Sequence, residues 1–176
     1  DGGTIGLGGT AGNMTITGAE LAKITAGTLN IGDSSTGNIT VDGISAANSN
    51  NATTVNLTTA SASSVSFSNN ASTFQGLAVS SGNGISQGVN VTTSNTTTLD
   101  ADSNDDGSGD FNNTAGTFST GGSALSITAN DFGLSGSINT GTGTTTILVS
   151  DGGSIGLGST AGNMTIAGSE LGNITA

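Results

Sequence analysis

The thirteen residues from Leu99 to Phe111 read LDADSNDDGSGDF and hold five aspartates. The whole chain of 176 residues has only 12 acidic side chains and a single basic one, Lys23. Counted from Asp102, acidic or amide oxygens fall at loop positions 1, 3, 5 and 9, with Gly107 at position 6. Calcium binds hard oxygen ligands, and this spacing wraps them around one ion while the glycine permits a sharp turn. Asp102, Asn104 and Asp106 would offer side-chain oxygens, Ser108 its carbonyl, and Asp110 a ligand made directly or through water. Five carboxylates within 11 residues repel one another unless a cation lies among them, which adds weight to the metal. A solvated acidic turn is the plainer reading and the favoured one.

Position 12 of this loop is Asn113, where an EF-hand carries a bidentate Glu, and no flanking helices are evident. The spacing therefore resembles the calcium loops of thrombospondin type 3 repeats more closely. Other chemistry is thin. Without His or Cys there is no Ser–His triad, thiol nucleophile or ordinary zinc site. A carboxylate pair such as Asp105 and Asp106 suggests glycoside hydrolysis, but a groove for that reaction needs aromatic rings to stack a sugar, and Trp and Tyr are absent. The expectation is no enzyme. One lysine and a net charge of −11 exclude a phosphate-binding surface, hence nucleic acid. No apolar run approaches the roughly 18 residues of a spanning helix, and no signal peptide is visible. The chain opens at Asp1 without Met, which reads as a piece of something longer.

Thr15 with Thr17, and Thr96 with Thr98, could form the flat array of an ice-binding face. That array needs Thr on one face in successive coils, and here Thr, Ser and Asn mix irregularly, so solvated strand faces are expected. The glycosylation sequons at Asn38 and Asn90 are two among many, which follows from how common Asn and Thr are, and stacked Asn ladders are the expected use.

The elements that must position these residues follow from composition and repetition. Glycine supplies 31 residues, charged residues make up 7% and aromatic ones 3%, yet Thr, Ile and Val are abundant. That bias points away from disorder, which is poor in β-branched residues, and toward a repetitive fibrous β protein. Residues 1–26 and 151–176 are identical at 20 of 26 positions. Self-similarity at a spacing of 150 residues signals a tandem array. Residues 1–150 are one full repeat and 151–176 the start of the next. The exchange of Lys23 for Asn173 marks an exposed position.

Within the repeat, segments such as TIGLG (4–8), NITVDG (38–43), TVNLTT (54–59) and ALSITAN (124–130) alternate apolar with small polar residues, as half-buried strands do. Gly, Asn, Ser and Asp between them make turns. AELAKI (19–24) is too short for a free-standing helix and reads as a corner turn. A sandwich of this size would need more than five Phe, whereas a solenoid stacks Ile, Leu, Val and Ala in a narrow core. The expected fold is all-β: a parallel β-helix (β-solenoid), right-handed by the crossover rule, with about six coils per 150 residues. Ile5, Leu7, Met14, Ile16, Leu29, Ile31, Ile39, Val41, Leu125 and Ile127 should face inward.

The stretches GSIGLGSTAGNMTIAGSEL, TLNIGDSSTGNITVDGI and ALSITANDFGLSGSINTG resemble repeats of giant bacterial surface proteins of the filamentous haemagglutinin type. The resemblance covers nearly the whole chain. It implies a right-handed β-helical shaft, export through the outer membrane and a place outside the cell or on its surface. It also implies a structural role in adhesion or extracellular fibres. Expected partners are adjacent repeats or identical chains end to end, with a polysaccharide or host-surface ligand as the alternative.

Overall fold

The computed structural model describes residues 2–176, built mainly of short parallel strands with three single-turn helices. The chain opens with β1 (Ile5–Gly8), β2 (Met14–Ile16), α1 (Gly18–Leu21) and β3 (Ala26–Gly32). A second round is β4 (Ile39–Asp42), α2 (Ala46–Ser49) and β5 (Ala52–Thr58). Two rounds of three strands follow: β6 (Val65–Phe67), β7 (Ser72–Thr73) and β8 (Gly76–Ser80), then β9 (Ile85–Gln87), β10 (Val91–Thr92) and β11 (Thr97–Asp100). Two more are β12 (Phe111–Asn113), β13 (Thr117–Ser119) and β14 (Leu125–Ala129), then β15 (Phe132–Leu134), β16 (Ser137–Asn139) and β17 (Thr145–Val149). The chain continues with β18 (Ile155–Leu157), β19 (Met164–Ile166), α3 (Gly168–Leu171) and β20 (Ile174–Thr175).

These strands enter three sheets in fixed rotation. A seven-stranded sheet has the order β15-β12-β9-β6-β4-β1-β2, a six-stranded sheet β17-β14-β11-β8-β5-β3, and a five-stranded sheet β20-β16-β13-β10-β7. β18 and β19 pair with each other alone. In the first two rounds α1 and α2 stack below β7, where later rounds place a strand of the five-stranded sheet. Leu29 pairs with Val55, Val55 with Leu77, Leu77 with Thr97, Thr97 with Leu125 and Leu125 with Thr145. Successive rounds thus take 26, 22, 20, 28 and 20 residues, the longer ones carrying their surplus in turns.

Because side chains alternate across a strand, in-register stacking sorts them into inward and outward columns. One inward column of the seven-stranded sheet runs Ile5, Ile39, Val65, Ile85, Phe111, Phe132, and every member is buried. The next runs Leu7, Val41, Phe67, Gln87, Asn113, Leu134, so two amides interrupt an apolar ladder. All five Phe are buried, and the rings of Phe111 and Phe132 stack with centroids 5.6 Å apart. The three sheets share one apolar cluster.

Seven of the ten residues expected to face inward are buried: Ile5, Leu7, Ile31, Ile39, Val41, Leu125 and Ile127. Ile16 and Leu29 are half-buried, and Met14 is exposed. The reason is positional, since β2 and β3 are end strands of their sheets and nothing stacks on their outer sides. No helix among the described residues is long and apolar enough to cross a membrane.

Candidate functional site

Two places concentrate unusual chemistry: the acidic bend, and the two copies of the repeated segment. The bend leaves β11 and returns at β12. Its turn forms where the Asp105 amide donates to the Asp102 carbonyl at 3.0 Å and Asp105 adopts a φ of +49°. The Asp102 side chain points into this turn and is buried. It accepts from the amides of Asp106 (3.3 Å) and Gly107 (3.2 Å), and from the Ser150 hydroxyl at 2.7 Å. Asp106 accepts from the Asn104 amide at 2.6 Å and from the Ser108 hydroxyl. Those donors, Ser108 foremost, hold its carboxyl below the ordinary carboxylate range.

Of the five expected ligands, Asp102, Asn104, Asp106 and Ser108 share one small hydrogen-bonded loop. Asp110 instead turns to the following round, where its Oδ1 accepts from the Asn130 side chain and the Asp131 amide, both at 3.1 Å. The Asn104 Oδ1 is enclosed without a donor. Among the described residues no three acidic groups are placed to grip one ion.

The structure adds a carboxylate that spacing along the chain did not suggest. Asp151 reaches over the bend, and a Cβ on Gly107 would stand 3.2 Å from its Oδ2. Burial first, then the charges of Asp102, Asp105 and Asp106, push the Asp151 carboxyl above its ordinary range. Asp100 is raised as well, by burial and then by Asp105 and Asp102. The signal lies in the register: Asp100 pairs with Thr128 and Thr128 with Leu148, so the start of the second copy lies two rounds along the stack from the bend. Lys23 follows α1 in the first round and brings no counter-charge here.

The two copies of the repeated segment fold alike. In each, two strands nine residues apart pair in parallel, Ile5 with Met14 and Ile155 with Met164. The connecting loop presses so closely on the strand that a Cβ on Gly6 would come 2.3 Å from the Thr10 carbonyl oxygen, and one on Gly156 2.0 Å from that of Thr160. Only glycine fits such an approach. An asparagine clasps the loop in both copies: the Thr4 amide donates to Asn13 Oδ1, and the Ser154 amide to Asn163 Oδ1, each at 2.9 Å. The helical turn is capped by Glu20 accepting from the Thr17 amide (2.9 Å) and by Glu170 accepting from the Ala167 amide (2.8 Å).

Their surroundings are opposite. β1 lies between β2 and β4, which leaves β2 at the edge. In the second copy β19 lies against β15 and β18 is the open edge. Leu7 is therefore 0% exposed and Leu157 58%, whereas Met14 is 49% exposed and Met164 0%. Leu21 is buried and Leu171 exposed. β15 and β19 form no ladder; side chains span the seam. The Thr165 amide donates to Asp131 Oδ1 (3.2 Å), the Leu134 amide to Glu170 Oε1 (2.9 Å), and the Asn173 side chain to the Leu134 carbonyl (3.4 Å). Lys23, at the matching place in the first copy, is exposed.

The remaining features are surface ones. A shallow groove of about 360 Å³ crosses the outer face of the six-stranded sheet, lined by Asn56, Ala78, Thr98, Asp100 and Ser126 among others. The outward columns mix Thr with Ser, Asn, Ala and Asp, and Thr17 caps α1 and does not extend a Thr face. The sequon asparagines Asn38 and Asn90 staple neighbouring rounds: Asn38 Oδ1 accepts from the Ser64 amide (2.9 Å) and Asn90 Oδ1 from the Thr117 amide (2.8 Å). One Asn ladder step is present, Asn56 donating to Asn30 at 2.8 Å. Compared with family models, with curated proteins and with solved structures, the chain matches none.

Proposed function

We propose that this chain is a structural repeat, with the start of the next, of a long extracellular or cell-surface bacterial fibre or adhesin stalk of the filamentous haemagglutinin-like type. On this reading the rotation of strands through three sheets is a right-handed parallel β-helix of about six coils per 150 residues, and the chain catalyses nothing. Its task is reach and mechanical continuity: backbone ladders run along the stacking axis, and each coil is held mainly by its neighbours. The observation that carries the reading is that residues 151–176 return to the fold of 1–26 at the other end of the stack, with the opposite side covered. The test is the length of chains carrying one, two and three repeats, measured by electron microscopy. Six strands at about 4.8 Å each give about 29 Å per repeat. Increments near 15 or 60 Å, or compact particles, would overturn the reading.

The groove across the six-stranded sheet favours a second reading, a binding module for a surface polysaccharide or host receptor. Immobilised glycans would select between the two, since a pure stalk retains none of them.

Calcium at the bend, through Asp102, Asn104, Asp106 and Ser108, with Asp110, which faces Asn130 and Asp131, reaching it through water, belongs to the same proposal. What supports it is a crowd of carboxylates, in which burial first and then their mutual repulsion raise Asp100 and Asp151, with no cationic side chain to offset them. Calcium at a hundredfold excess over Kd would then add about 2.7 kcal/mol of stability. Asp106→Ala would abolish that gain, and a melting curve insensitive to chelator would return the bend to a solvated turn.

A further inference from the structure

We infer that the open edge at β18 is a docking site for a second copy of residues 27–150, which pairs its β4 in parallel with Ile155 opposite Ile39 and Leu157 opposite Val41. The inference rests on the stalk reading and adds to it the partner of this edge and the register of the joint. The first copy shows what covers such an edge. β1, whose residues Ile5–Gly8 are repeated without change at 155–158, is covered by β4 in that register. The Ile5 amide donates to the Asn38 carbonyl at 3.0 Å, the Gly9 amide to that of Asp42 at 2.8 Å, and the Gly3 carbonyl accepts from Gly37 at 3.0 Å.

The six differences between the copies spare both strands. One of them suits the joint. A Cβ placed on Gly9 would stand 3.1 Å from Asp42 Oδ2, and Ser159 occupies that place in the second copy, bringing a hydroxyl toward the carboxylate of the docked strand. The exposed apolar residues agree as well: Ile155 and Leu157 lie on the open strand, and Leu171 lies on α3 where the buried Leu21 of α1 meets α2. An open edge bearing apolar side chains is one that soluble proteins cover.

The test uses the full chain extended after Ala176 by a second copy of residues 27–176. The chain lacks cysteine, so Leu157→Cys introduces a single thiol. In the 176-residue chain that thiol should react freely with a maleimide. In the extended chain it should react on the order of a hundredfold more slowly, as Leu7→Cys does in either chain, because labelling then requires local opening. If the extended particle lengthens but the thiol stays fully reactive, the stalk reading survives and this joint is wrong. If the particle stays compact with the second copy lying alongside, both fall. Leu157→Asp guards against a thiol that perturbs the fold: it should leave the 176-residue chain's melting unchanged and split that of the extended chain into two transitions. A single unchanged transition in the extended chain would overturn the inference.

Discussion

The first and second copies of the repeated segment share strands, clasp and helical turn, yet Leu7 is sealed where Leu157 is open and Met14 is open where Met164 is sealed. Local sequence sets the shape of this segment, and position in the stack sets which side is wet. Burial in these stacked sheets is therefore a property of the neighbours, and a residue cannot be assigned to the core from its own strand alone.

The sharpest way to break this comparison is to truncate the same side chain in both copies. Leu7→Ala should cost about 2–5 kcal/mol, as large-to-small changes in packed cores do, while Leu157→Ala should stay within about 0.5 kcal/mol. The order reverses at the methionines, with Met164→Ala costly and Met14→Ala nearly silent. Chemical denaturation of the four variants checks this, and equal losses within either pair would contradict the account.

A smaller effect separates the copies at their helical turns. Thr17 takes part in a reciprocal capping pair with Glu20, whereas Ala167 has no hydroxyl to return. Thr17→Ala should cost about 1 kcal/mol, and Ala167→Thr should stabilise the second copy by a similar amount. Exchange rates of the amides in α1 and α3 would report each change locally.

The third contrast sets the acidic bend against Asp42. The Asp42 carboxyl is held below its ordinary range, first by the Asn70 side chain and then by Asn69. Its stabilisation is present above the unfolded pKa and is lost as the pH falls through the lower folded value. Asp100 and Asp151 are raised, so their contribution is favourable in acid and is lost as the pH rises through their folded values. In the absence of added cations, stability should peak in weak acid and decline toward neutrality. Asp151→Asn should flatten the neutral side, and Asp42→Asn the acid side. Melting temperatures across pH 2–8, on the scale of ordinary carboxylate titration at about 4, would show it. A profile unchanged by Asp151→Asn would remove that residue from the bend's electrostatics.

Much of this fold was legible in alternation. β1, β3, β4, β5 and β14 each follow an apolar–polar rhythm that the stack converts into inward and outward columns. β9 and β12 were not, because Gln87 and Asn113 occupy inward places and break the rhythm. Their amide nitrogens find carbonyls at Val89 (2.9 Å) and Ser137 (3.3 Å), while their side-chain oxygens are buried without a donor, so the column holds these polar side chains at a cost. The bend was legible as a crowd of aspartates, but its tie to Ser150 joins residues 48 apart, which only the register reveals. Met14 carried every local sign of a core residue and lies on an end strand, with nothing stacked on its outer side.

The central claim, that place in the stack decides which copy of a strand is protected, is tested most directly by hydrogen exchange on the intact chain. The Ile5 amide donates to Asn38 across the β1–β4 ladder, and Leu7 faces the same side of its strand. Ile155 and Leu157 are the same residues on an open edge. The account predicts strong protection at Ile5 and Leu7 and exchange close to that of an unstructured peptide at Ile155 and Leu157. Equal protection in the two copies would contradict it.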